Sequence, residues 1–89
     1  MKAKKKPIVL DVWQIDVEAL RKYEAPNWVI HEWDNSMGNI KSYDDGLLIL
    51  TLEGSMTAKI GDYIVKGTKG EIWPVRKDIF EETYDIVEE

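Results

Sequence analysis

The sequence predicts an α+β domain: a small, twisted antiparallel sheet or partial barrel of about five to seven short strands, with one helix near the N-terminus. Three features carry that expectation. Turn-forming residues recur at short intervals from Asp44 to Pro74, the segments between them are rich in β-branched and apolar residues, and one stretch over residues 17–25 has helical spacing.

In chain order, Pro7–Ile15 is apolar and β-branched, interrupted by Asp11 and Gln14, and reads as a first strand. Asp16 is suited to cap a helix in which Val17, Leu20 and Ala25 share a face, and Pro26 ends it. Residues 28–33 read as a strand from their aromatic and β-branched content, closed by the turn-forming run from Asp34 to Asn39. A hairpin follows over Ile40–Tyr43 and Leu47–Leu52, with Asp45-Gly46 suited to a type I′ turn, where both central residues need positive φ. Leu47-Leu48-Ile49-Leu50 has apolar groups on both faces and reads as a central strand. Glu53-Gly54, Lys59-Ile60-Gly61, Gly67–Gly70 and Pro74 then mark off short strands at 55–58, 62–66 and 71–75. Asp78 and Glu81 resemble a capping box on one helical turn, and Tyr84–Val87 reads as a closing strand. The expected core includes Leu48, Leu50, Ile64, Ile72 and Phe80.

At 89 residues there is room for one core, and 44% hydrophobic residues are enough to offset the entropy of ordering it. The organisation read from this is a basic tail over residues 1–6 and a single domain over 7–89. Cysteine is absent, which rules out disulfides, zinc–thiolate sites and thiol catalysis. The basic start is followed by only Pro7-Ile8-Val9-Leu10 before Asp11, too short an apolar run for a signal peptide or a membrane span, so a cytoplasmic location is expected. From Pro7 onward eight basic residues face 17 acidic ones. Such an acidic body repels phosphates, which argues against nucleic acid as a partner. A domain this small gains from pairing, so a homo-oligomer is expected.

Two blocks carry a family resemblance. The run Thr51–Pro74, containing Gly61-Asp62-Tyr63, with Asp78-Ile79-Phe80-Glu81-Glu82-Thr83-Tyr84 after it, resembles the PGDYG family of small bacteriophage and prophage proteins. Lys5-Lys6-Pro7 followed by Asp11 and Gln14 resembles the family's opening. Ile60 and Ile64 stand where the family word has proline and glycine, and residues 27–46 show no family pattern. The resemblance implies a phage or prophage origin and a small sheet-rich domain of unassigned function, with no catalytic residues.

Among chemically able residues, Asp62 and Glu71 each follow a glycine, and carboxylates on neighbouring strands can act as an acid–base pair or hold a cation. The simpler reading is that each glycine takes a positive-φ turn position and the acid accepts from the turn amides. His31 is the single histidine and reads as a strand residue at the sheet rim. No nucleotide loop or nucleophile elbow is present, and the residues call for no metal or cofactor. Four tryptophans in so small a chain exceed what packing uses, and Trp73 is the best placed to meet a partner. The expected binding residues are therefore Tyr63, Lys66, Trp73 and Arg76, which combine aromatic area with the few cations of the acidic body. Strand alternation separates Tyr63 from Lys66 unless a bulge re-aims one of them. The expected function is a non-catalytic phage or prophage accessory protein that binds a host protein or small molecule, including inhibition of host defence. The rivals are a virion structural or assembly protein and a small enzyme using the Asp62/Glu71 pair.

Overall fold

A computed structural model describes residues 1–4 and 7–87. Lys5 and Lys6 of the basic tail, and Glu88 and Glu89 of the acidic end, lie outside the described residues. The architecture is mixed α+β and mostly β, in the order β1 (Asp11–Gln14), α1 (Val17–Lys22), α2 (Asn27–Ile30), β2 (Ile40–Tyr43), β3 (Gly46–Thr51), β4 (Gly54–Lys59), β5 (Tyr63–Lys66), β6 (Ile72–Val75), α3 (Lys77–Thr83). The strands form two three-stranded antiparallel sheets rather than one: β1-β5-β6, called sheet A, and the meander β2-β3-β4, called sheet B. There are three short helices instead of one near the N-terminus, and the longest is C-terminal.

The main core lies between the sheets. Ile15, Val29, Trp33, Ile40, Leu47, Ile49, Ala58, Ile64 and Ile72 form one buried cluster, with Trp13, Leu20 and Trp28 packed on it. Sheet A is apolar on its other face as well, where Phe80 of α3 stacks on Tyr63 with ring centroids 3.7 Å apart.

Asp16 caps α1, its carboxylate accepting from Ala19 N at 2.7 Å. The helix stops at Lys22 rather than continuing to Ala25, because Tyr23 turns left-handed at φ 58°. That turn stacks the Tyr23 ring on Trp33 at 4.2 Å and lets its hydroxyl donate to Asp34.

Residues 28–33 are not a strand. Pro26 has φ −56°, suited to a helix entry, and its carbonyl accepts from Val29 N and Ile30 N at 2.9 and 3.0 Å. A helical turn brings Val29 and Trp33, four residues apart, to the same buried side. His31 ends α2 as an exposed residue, not at a sheet rim.

In the β2–β3 hairpin the turn sits one residue earlier than the Asp45-Gly46 pattern predicts. Tyr43 pairs with Gly46, so Asp44 and Asp45 are the central residues, and of these Asp44 alone has positive φ, 54°. Gly46 serves packing instead: a Cβ there would lie 2.2 Å from Ala58 O of β4.

β3 is central in sheet B, but Leu47 and Ile49 face the core while Leu48 is half-buried and Leu50 is 38% exposed. The expected burial of Leu48 and Leu50 is thus one residue out of phase, whereas Ile64, Ile72 and Phe80 are buried. Ile49→Ala is expected to lower stability by about 2–5 kcal/mol, and Leu50→Ala by about 1 kcal/mol or less. Denaturant titration of both variants checks the phase, and equal losses would contradict it.

Pro74 lies inside β6 instead of ending it. It faces Ile64 at a position where the backbone points away from β5, so its missing N–H removes no ladder bond. At the C-terminus, residues 84–87 form no strand, and α3 is capped differently from the capping-box expectation.

Candidate functional site

Gly61-Asp62-Tyr63 forms a structural joint. Gly61 has φ 98° and its N–H donates to Ile15 O at 2.8 Å, while Gln14 Nε2 donates to Gly61 O at 3.1 Å. Asp62 is buried, and its two carboxylate oxygens accept from Lys59 N and Lys77 N, each at 3.1 Å. The second of these bonds caps the Lys77 amide of α3 from outside the helix, while Asp78 Oδ1 accepts from Ile79 N of the same first turn at 2.9 Å. One carboxylate therefore ties the end of β4, the start of β5 and the start of α3 together. Glu71 pairs with Gly67 beyond the far end of β5. Five residues of extended chain set it roughly 16 Å from Asp62, so the two carboxylates do not form a pair.

The four expected binding residues do not share a surface. Tyr63 is half-buried beneath Phe80, and Lys66 is on the opposite face of β5, across from Asp11. Alternation along β5 separates them, with no bulge to re-aim either. Arg76 follows β6 and forms a bidentate pair with Asp78, Nε to Oδ1 and Nη2 to Oδ2, both 2.8 Å. It borders a cleft of about 680 Å³ with Asp44, Asp45 and Lys59. Trp73 lies in a different cleft.

The Arg76–Asp78 pair has an electrostatic signature. Hydrogen bonds from the guanidinium, followed by the Ile79 amide and the opposite charge, hold the Asp78 carboxyl down to about 2, and the same pair raises Arg76 above its usual value. A depressed carboxylate adds stability above its unfolded value near 3.8, and that contribution is lost as pH falls from there through about 2. The pair is largely exposed, so water and salt weaken it. NMR titration is expected to give Asp78 the low midpoint in the wild type and one raised toward the ordinary carboxylate range in Arg76→Ala. A midpoint unaffected by the substitution would assign the shift elsewhere.

The cleft at Trp73 has a volume of about 710 Å³. Trp73 and Val75 of β6, Ile79 and Tyr84, and Ile8 and Leu10 line it, together with the polar Glu71, Thr68 and Thr83. Gly67 leaves room chiefly for the Glu71 carboxylate, whose Oε1 would lie 1.6 Å from a Cβ there, and then for the indole, whose Cζ3 would lie at 3.0 Å. The sequence singled out Trp73 but not Ile8, Leu10 or Ile79, which reach it from the two ends of the chain. Their signal was apolar character in segments that no strand pairing uses. Among the described residues no group of three or more His, Cys, Asp or Glu is placed to hold a metal ion, and no helix is long and apolar enough to cross a membrane.

No protein-family model, curated protein or solved structure matches this chain.

Proposed function

We propose that this chain is a phage or prophage accessory protein that acts by binding a host protein or small molecule in the Trp73 cleft, without catalysis, in the host cytoplasm. The phage origin rests on the sequence resemblance alone. The observation that supports binding is the half-buried Trp73 lining a mainly apolar cleft of about 710 Å³ that also holds Glu71, Thr68 and Thr83, a size common for ligand sites. Tryptophan combines large apolar area with an indole N–H, which suits it to anchor a partner.

The test is affinity capture from host lysate, with mass spectrometry of retained proteins and small molecules, followed by calorimetry on the partner identified. Trp73→Ala is expected to weaken that binding by about 2 kcal/mol or more while the fold persists. Met56→Ala, remote on β4, serves as the control. A partner held equally by all three proteins would remove Trp73 from the site, and unfolding of Trp73→Ala would return the indole to a packing role.

A further inference from the structure

β1 is the outer strand of sheet A, and its free edge has a self-complementary pattern. Ile15 N donates to Asp62 O and Ile15 O accepts from Gly61 N, at 2.9 and 2.8 Å. By antiparallel alternation Asp11 and Trp13 also direct their backbone groups at β5, so Val12 and Gln14 direct theirs outward. Residues 7–10 precede β1 and belong to no strand; continued in line with β1, the same alternation would turn Leu10 and Ile8 outward. It places Pro7, which has no N–H, on the inner side. Among the described residues no strand pairs with this edge. Residues 84–87 run beside it, but a cleft of about 320 Å³ opens between them and residues 8–12. Around the cleft Ile8, Val9, Ile86 and Val87 are all more than half exposed.

We propose that this edge is covered by a second copy of the chain, the two β1 edges pairing antiparallel through residues 8–12 about a two-fold axis at Leu10. Two three-stranded sheets then join into one. The register argues for a second copy over a foreign strand. An axis at Leu10 sets Ile8 opposite Val12 of the partner, apolar on apolar, with outward-facing backbone groups meeting outward-facing ones. Pairing goes beyond the binding reading and does not depend on it, because it is measured on the purified chain alone.

Since the chain has no cysteine, single introduced thiols report the register. In the proposed dimer Leu10→Cys sets two Cα atoms about 5.5 Å apart, within disulfide reach, and mild oxidation is expected to give a covalent dimer. Ile8→Cys sets its two roughly 14 Å apart and is expected to stay unlinked, whereas Ile8→Cys combined with Val12→Cys links. Sedimentation velocity of the wild type is expected to show a dimer at high micromolar concentration. Ile8→Lys, at an exposed position that leaves the fold intact, should raise its dissociation constant by about tenfold or more. A wild type that stays monomeric at millimolar concentration overturns the proposal. So does linking at residue 8 alone as readily as at residue 10, or a dimer indifferent to Ile8→Lys. Self-association that appears only after removal of residues 84–87 would make the chain's own tail the occupant, and capture of a foreign strand by a monomer would make it another protein; each refutes the second copy.

Discussion

Replacing Phe80 by alanine is expected to lower stability by about 3–5 kcal/mol. Phe80 is 2% exposed and stacks between Tyr63, at 3.7 Å, and Tyr84, at 4.7 Å, with ring planes within 10° of parallel. Loss of the ring opens a cavity over β5 and removes the main anchor of α3. That helix has seven residues, far below the length at which a helix holds itself together in water. Denaturant unfolding gives the free energy and far-ultraviolet dichroism reports the helix. A loss below about 1 kcal/mol would mean that α3 is not held by this contact.

Asp62→Ala is expected to cost roughly 2–4 kcal/mol, since it leaves two partly buried amides, Lys59 N and Lys77 N, without an acceptor. The informative comparison is Asp62→Asn, which keeps the size of the side chain. An amide offers one acceptor oxygen and turns an NH₂ group toward the other donor, so asparagine is expected to recover no more than half of the loss. Full recovery by asparagine would show that a single acceptor suffices and that the joint is weaker than its geometry implies.

Much of sheet B and the late strands was legible because turn residues bracket them: Asp44 to Gly46 bends the β2–β3 hairpin, and Gly61 and Gly70 take positive φ between strands. Where only composition spoke, it misled. Residues 28–33 carry strand-forming side chains, yet Pro26 and the four-residue spacing of Val29 and Trp33 mark a helical turn, and tertiary packing decided between them. In Leu47–Leu50 no polar residue marks the outer face, so the sequence left the phase open, and contact with sheet A set it. Tyr84–Val87 has the content of a strand but, among the described residues, pairs with no strand. Of the candidate site, Trp73 could be read from the sequence. Its neighbours could not, because Leu10 and Ile79 are remote in sequence and meet only in the folded chain.

The pairing of β1 with β5 also fixes an order of assembly. Asp11 pairs with Lys66, 55 residues later, whereas β2, β3 and β4 pair with immediate neighbours through two-residue loops. During synthesis β1 is made before the other strands and waits longest for its partner. Sheet B can close while β1, with the apolar residues just before it, still waits for residues 63–66 to be made, and the buried joint at Asp62 closes only once Lys77 has followed.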